Sequence, residues 1–181
     1  MSTARASQTR WRRSPADLTW RAGVEALSFG ATKNGAMAAE AVVFFDPAKA
    51  ADFAYRRKRG GHLFSKMRFL SAQLEAYLAD DLWLRNAGHA NRMAARLAEG
   101  LRAVPGARLQ HPVEANELFV ELPDPVIRGL FADGFQFYRW DHEASVVIRL
   151  VTAFDTAPAA IDAFLASARR HAERAAGAPR S

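Results

Sequence analysis

A single lysine, Lys33, lies in a loop of small residues that connects two apolar runs. The loop reads SFGATKNGA over residues 28–36, and the apolar runs span residues 24–29 and 39–45. A lysine amine at the end of a buried strand can form a Schiff base with a carbonyl compound, since a partly desolvated site favours its uncharged, nucleophilic form. Neighbouring glycines and alanines would let a flat cofactor approach the backbone closely. The alternative is an ordinary solvated lysine.

A lone arginine, Arg149, interrupts an apolar run near the other end of the chain. The segment reads VVIRLV over residues 146–151. A guanidinium held among apolar side chains needs an anionic partner, because an unpaired buried charge is very costly. Its planar fork suits a carboxylate. The partner could be an internal one (Asp141, Glu143 or Asp155) or the carboxylate of a ligand.

Two further basic segments are candidate binding sites. Arg56 to Arg59 form a dense cationic run ahead of Gly60 and Gly61, and Arg68 follows in the segment SKMR. Taken alone, such a run is typical of a solvated helix end, where cations interact favourably with the helix dipole.

The elements that must position these residues follow from capping signals and hydrophobic periodicity. Six helices are predicted, at residues 15–22 (with Ser14 as the N-cap), 48–59, 64–78, 82–104, 125–132 and 158–170. Five strands are predicted, at residues 26–29, 40–45, 117–122, 135–140 and 146–151. We expect the first two strands to be buried. Helices alternating with strands around one sheet layer give the later part of the chain an α+β pattern.

Composition limits the possible classes of protein. Hydrophobic residues make up 50% and charged residues 24% of the chain, as in folded globular domains. The absence of cysteine excludes disulfides and thiolate metal sites, and no histidine spacing suggests a metal. No apolar run is long enough for a bilayer, so we expect a cytoplasmic protein. The net charge of +6 is concentrated at the two ends, so neither nucleic acid nor membrane is an expected partner.

Five segments occur in one order and carry a family resemblance. They are SPADLTW at 14–20, the Lys33 loop, EAVVFF at 40–45, SKMRFLSAQ at 65–73 and RLVT at 149–152. Together they resemble the bacterial low-specificity L-threonine aldolases, which are pyridoxal-phosphate (PLP) enzymes of the aspartate-aminotransferase fold, fold type I. The resemblance covers roughly residues 14–165 and implies the C-terminal half of that α/β fold. It implies a remnant of the PLP-binding large domain at 14–80 and a small α+β domain at 81–172, between disordered tails at 1–13 and 173–181.

The resemblance also implies site residues. Lys33 would carry the Schiff base with pyridoxal 5′-phosphate, Lys58 and Arg57 would reach its phosphate, and Arg149 would bind the substrate α-carboxylate. Arg68 would serve the substrate or a subunit interface. The implied reaction is that of an aldehyde-lyase, which cleaves threonine or another β-hydroxy-α-amino acid to glycine and an aldehyde, in a homo-oligomer.

Enzymes of this family are much longer than 181 residues. The resemblance implies that the phosphate-binding loop, the ring stacked on the pyridine, the pyridinium aspartate and the catalytic base lie in the missing half. We therefore expect the chain alone to be truncated and inactive. The alternative is a non-catalytic remnant, or a subunit whose partner carries the other half. Either version predicts exposed apolar surface on Val42, Phe44 and Phe45.

Residues 1–13 do not match the family. Back-translated and shifted in frame, residues 2–12 can read as a segment containing Asp-Gly-Ala-Arg, which resembles the family motif with the pyridinium aspartate. A frameshifted gene and a genuine alternative start with a basic tail both account for this segment.

Overall fold

The computed structural model describes residues 14–63 and 65–177, which form two compact units divided between Trp83 and Leu84. The predicted tail at 1–13, with its frame-shifted motif, lies outside the described residues. No helix in the described ranges is both long enough and apolar enough to cross a bilayer.

The first unit begins with the predicted capped helix. The helix α1 (Pro15–Leu18) has a capping box, because Asp17 N–H donates to Ser14 Oγ at 3.3 Å and Ser14 N–H donates to Asp17 Oδ2 at 2.9 Å. A 3-10 turn over Trp20–Ala22 continues it to Gly23, which has a φ of +83°. The predicted N-cap at Ser14 is confirmed, and the helix predicted at 15–22 is found as a short α-helix followed by a 3-10 turn.

The two predicted N-terminal strands form a hairpin. Strands β1 (Ala26–Gly30) and β2 (Glu40–Phe44) pair in antiparallel fashion, with Ala26 opposite Phe44 and Gly30 opposite Glu40. Their existence is confirmed, but their predicted burial is wrong. Val42 and Val43 are 46% and 38% exposed, and Phe44 and Phe45 are half-buried. A two-stranded sheet has too few neighbours to cover both of its faces.

Helices complete the first unit. Asp46 caps a 3-10 turn at Pro47–Ala50, α2 follows at Phe53–Arg59, and α3 spans Arg68–Leu78. The helix predicted at 48–59 is thus interrupted, and the one predicted at 64–78 begins four residues later. The small core of this unit has Ala31, Ala39 and Tyr77 at its centre, with Phe29, Ala36, Leu74 and Trp83 packed around it.

The second unit is an antiparallel sheet with helices on one face. Its elements are α4 (Leu82–Leu101, whose first residues belong to the first unit), β3 (Arg108–Leu109), β4 (Glu117–Glu121), α5 (Asp124–Ala132), β5 (Tyr138–Arg139), β6 (Val147–Val151) and α6 (Pro158–Gly177). The strand order is β3-β4-β6-β5. Helix α6 extends seven residues beyond its predicted end and includes residues 173–177, where a tail was expected.

Alternation along β4 and β6 builds the core of the second unit. Leu118, Val120 and Ile148 are fully buried and pack with residues of α4, α5 and α6. Burial of each such aliphatic side chain stabilises the fold by about 1.5–3 kcal/mol. Glu117 and Arg149 alternate with these residues, so their side chains lie on the opposite face of the sheet.

Two strands differ from their predictions. Strand β5 comprises only Tyr138 and Arg139 of the predicted strand at 135–140, which lie opposite Arg149 and Ile148 of β6. Phe135 and Phe137 pack against the core cluster instead. The short strand β3, opposite Val120 and Glu121, was not predicted, because two residues carry no period of their own.

A carboxylate joins α5 to α6. Asp133, at the C-terminal end of α5, accepts hydrogen bonds from Ser167 Oγ at 2.5 Å, Arg170 Nη2 at 2.6 Å and His171 Nε2 at 3.0 Å. Bonds from Ser167 and His171, together with the charges of His171 and Arg170, lower the pKa of Asp133. The His171 side chain is 15% exposed and lies against Gly129.

The lowered pKa of Asp133 predicts acid sensitivity of the second unit. Its stabilising contribution is complete above the ordinary pKa of 3.8 and is lost as the pH falls towards the lower folded value. We expect Asp133→Asn to be less stable than the parent at pH 6 and to lose less stability on acidification below about pH 4. Thermal midpoints between pH 6 and pH 2 measure this. Asp155→Asn is the control, and parallel curves for the parent and Asp133→Asn would contradict the assignment.

The buried face of the sheet predicts a second stability difference. Leu118→Ala should lower the free energy of unfolding by about 3 kcal/mol, because it leaves a cavity among fully buried neighbours. Val151→Ala, at a 54% exposed position on the paired strand, should change it by less than about 0.5 kcal/mol. Urea unfolding followed by circular dichroism measures both variants. Equal losses would show that the described burial is wrong.

Candidate active site

Lys33 lies in a short 3-10 turn directly after β1. The turn spans Thr32–Asn34, and the Lys33 side chain is exposed although Ala31, two residues earlier, is fully buried. In the described ranges of the chain, no carboxylate forms an ion pair with Lys33. The partly desolvated setting proposed for it from the sequence is therefore not found within the first unit.

Side chains from α3 and the residues after it hold the Lys33 loop. Asn34 Nδ2 donates to the Tyr77 hydroxyl and, at 3.0 Å, to the Trp83 carbonyl oxygen. Gln73 Oε1 accepts the backbone N–H groups of Met37 at 3.0 Å and Ala38 at 3.2 Å. Residues before and after Gly35 are thus both held by α3 and the residues that follow it.

The loop is also closed internally. Ala31 N–H donates to the Ala39 carbonyl oxygen at 2.9 Å, and Thr32 Oγ1 donates to Glu40 Oε1 at 2.8 Å and accepts from Ala39 N–H at 3.2 Å. Gly35 has a φ of +117°, which side-chain-bearing residues rarely adopt. The result is a fixed loop whose primary amine, on Lys33, has no ion-pair partner in the part of the chain that the structure describes. An amine of this kind fits covalent attachment of a carbonyl cofactor.

The other predicted basic residues of the first unit are exposed. Arg57 and Lys58 belong to the last turn of α2. Arg68 begins α3, and its guanidinium lies 4.8 Å from the centroid of the Phe69 ring. No described contact joins any of these three residues to Lys33. The described structure therefore leaves their predicted roles in cofactor and substrate binding untested.

Arg149 lies on β6, on the sheet face opposite the core. The strand register places it between Phe119 of β4 and Tyr138 of β5. Its Nε donates to the Glu117 carboxylate, and the two side chains are 37% and 36% exposed. An anionic partner was expected, but Asp141, Glu143 and Asp155 were the wrong candidates. The partner comes from the neighbouring strand.

An open cleft of about 640 Å³ adjoins Arg149. Its lining is aromatic and charged: Phe131, Phe137, Tyr138, Arg139, Trp140, Asp141, His142, Glu143 and Arg149. The Phe131 and Phe137 rings stack with centroids 4.4 Å apart. Arg139 is held in place by Asp124 Oδ1 at 2.6 Å and by the Ser145 carbonyl oxygen at 2.7 Å. Arg149 is therefore a cation at the wall of a cleft large enough for an amino acid.

Sequence reasoning missed three residues around these sites. Asn34 and Gln73 hold the Lys33 loop, and Glu117 pairs with Arg149. Glu117 could have been predicted from the sequence, because the alternation of residues 117–122 places it on the same face as Arg149 once β4 and β6 are paired. Asn34 and Gln73 gave no such signal, since their partners are distant in sequence.

The anchoring of the loop predicts a local effect of Asn34→Ala. The substitution leaves the buried Tyr77 hydroxyl without the Asn34 donor, which should cost about 1–3 kcal/mol. Amide hydrogen exchange of residues 31–39, followed by mass spectrometry, should become faster. Lys33→Ala is the matched control one residue away, and it should leave exchange nearly unchanged because Lys33 is exposed. Unchanged exchange in Asn34→Ala would mean that the loop is held by other contacts.

Two curated proteins of the same name are similar to the chain. No protein-family profile matches the chain. The chain is 50% identical over 143 residues to the low specificity L-threonine aldolase of Pseudomonas aeruginosa, covering 79% of this chain and 41% of that protein. It is 42% identical over 155 residues to the enzyme of the same name from Pseudomonas sp. strain NCIMB 10558, covering 86% and 44%.

Solved structures support the same assignment. A Leishmania major threonine aldolase has a TM-score of 0.75 and 29% identity, over 82% of this chain and 44% of that one. Mouse CSAD has a TM-score of 0.61 at 15% identity, over 92% and 44% of the two chains, which indicates a shared fold alone. The predicted class, part of the aspartate-aminotransferase-like PLP fold, is thereby confirmed. The chain belongs to the low-specificity L-threonine aldolase family and spans less than half the length of the curated relatives that it matches.

Proposed function

We propose that this chain provides the C-terminal share of a PLP-dependent L-threonine aldolase. The reaction is cleavage of threonine or another β-hydroxy-α-amino acid to glycine and an aldehyde. The observation that carries the proposal is the 50% identity over 143 residues to the Pseudomonas aeruginosa enzyme. The fixed loop that carries the Lys33 amine agrees with it.

The residues of this chain have separate tasks in the proposal. Lys33 binds PLP covalently through Nζ, and Lys58 and Arg57 supply positive charge for its phosphate. Arg149 binds the substrate α-carboxylate and so fixes the orientation of the Cα–Cβ bond, and Arg68 contacts the substrate or a second subunit. When bound, PLP supplies an electron sink for the electrons of the bond that breaks.

The reaction also needs a base that accepts the proton of the β-hydroxyl group. We place this base, the aspartate that pairs with the cofactor ring and the phosphate-binding loop in the part of the relatives that the chain does not span. The chain alone is therefore inactive in this proposal. The complete enzyme is a cytoplasmic homo-oligomer.

A second candidate is a subunit that works only with a polypeptide carrying the remaining part, or a remnant without a partner. Exposed apolar side chains of the first unit favour the need for a partner. They include Leu18, Trp20, Val42, Val43, Tyr55 and Phe69. Exposed surface of this kind is typical of a face that another polypeptide covers.

Reduction of the chain with borohydride in the presence of PLP tests Lys33. The chain has four lysines, Lys33, Lys49, Lys58 and Lys66, so peptide mapping can assign every adduct. We expect the adduct to form preferentially at Lys33. Lys49 is the internal control, because its amine is paired with Glu25. Equal labelling of all four lysines would contradict the role of Lys33. The same holds if the adduct forms mainly on another lysine and its amount is unchanged in Lys33→Ala.

Complementation separates a working share of an aldolase from a remnant without a partner. The chain is co-expressed with the part of the Pseudomonas aeruginosa relative that it does not span, and glycine formation from threonine is measured. We expect activity only when both pieces are present. Arg149→Lys should lower kcat/KM of the combination by about 10–100-fold, because an ammonium cannot form the two parallel bonds of a guanidinium. If Lys33→Ala abolishes activity but Arg149→Lys leaves it unchanged, only the proposed role of Arg149 in binding the carboxylate is contradicted. If no combination of pieces is active, the remnant is favoured.

A further inference from the structure

We propose that Glu117 is a positioning residue for Arg149. Its carboxylate holds the Nε edge of the guanidinium, so that the two Nη groups remain available to a carboxylate ligand. The identity of that ligand rests on the proposed function. The orientation of Arg149 does not.

The sheet register brings the two residues together. Glu117 lies opposite Val151, and Arg149 lies two residues before Val151 on the same strand. Residues that are opposite each other, or two apart on one strand, share a face of an antiparallel sheet. Glu117 and Arg149 are therefore diagonal neighbours, within reach of long side chains.

The backbone beside Glu117 is firmly held. Asn116 Nδ2 donates to the Thr152 carbonyl oxygen at 2.7 Å, and Thr152 N–H donates to the Asn116 carbonyl oxygen at 2.9 Å. The buried Thr152 hydroxyl donates to the Ala90 carbonyl oxygen at 2.7 Å, which ties this end of the sheet to α4. A fixed backbone leaves only the side-chain rotations of Glu117 free. The carboxylate is therefore a well-placed anchor for a neighbouring cation.

The contact occupies only one edge of the guanidinium. Arg149 donates from Nε to Glu117, and in the described ranges of the chain no protein acceptor is found for either Nη group. A guanidinium offers its two Nη groups as a separate fork for a planar carboxylate. Because Arg149 lines the cleft beside Tyr138, the free fork belongs to a side chain that a ligand can reach.

Stability is a weak explanation for the pair. Both side chains are more than a third exposed, and ion pairs of this exposure contribute little to folding. Orientation is the remaining effect. The same face of the sheet contains a matched pair, Arg108 with Glu121, which joins β3 to β4 away from Arg149. Glu121 is therefore a control residue of the same type on the same strand.

The first test is the nuclear magnetic resonance signal of the Arg149 Nε–Hε group in the full 181-residue chain. In the parent, we expect slow exchange of this proton with water. Glu117→Ala should accelerate exchange by about tenfold or more, because the charged acceptor is removed. Glu117→Gln retains an acceptor and should restore most of the protection, and Glu121→Ala should leave it unchanged. Fast exchange in the parent, or equal exchange in the parent and Glu117→Ala, would overturn the proposal.

The second test is titration with acetate, monitored at the Arg149 resonances. Acetate should bind the parent about tenfold more tightly than Glu117→Ala and within about threefold of Glu117→Gln. Equal or tighter binding by Glu117→Ala would show that Glu117 competes with the ligand, which overturns a positioning role. If acetate shifts Arg149 in no variant while Hε is protected in the parent and in Glu117→Gln but not in Glu117→Ala, the positioning stands and the carboxylate role of Arg149 in the proposed function fails.

Discussion

The antiparallel pairing of β4 with β6 is the constraint on which the second unit depends. Five residue pairs fix the register from Glu117–Val151 to Glu121–Val147. Because side chains alternate along a strand, this register places Leu118, Val120 and Ile148 against the helices and leaves Arg149 on the opposite face. A slip of one residue would exchange the two sets, burying charges and exposing the core. Stability and the placement of a guanidinium therefore follow from one set of backbone hydrogen bonds.

The first unit is held together by different contacts. Its hairpin has a small core, so single polar side chains do much of the positioning. Asn34 and Gln73 bond the two halves of the Lys33 loop, while the lysine itself takes no part in these bonds. This division of roles suits a binding site, because a side chain that makes no structural hydrogen bonds can change its partner without loosening the loop. Arg149 is held differently, with one edge bonded and the other edge free.

Local signals in the sequence were sufficient for much of this fold. The capping box of Ser14 and Asp17 and the alternation of residues 117–122 depend on neighbours in the chain, and both are found as predicted. Features that depend on distant partners were not predictable. The burial of β1 and β2 needs further strands beside them, the pairing of His171 with Asp133 joins two helices, and the Glu117 contact requires the strand register. Residue patterns and the family resemblance both pointed to Lys33 and Arg149, whereas the contacts around them depend on the three-dimensional structure.

The hairpin of the first unit affects how the chain can associate with other chains. Within the described residues, β1 and β2 pair only with each other, so each presents a row of backbone donors and acceptors along its outer edge. Val42 and Val43 add apolar side chains to one of these strands. Such an edge accepts an added strand from any chain that matches it, including a second copy of itself. Association by strand addition would then depend on protein concentration and would favour elongated assemblies over closed ones.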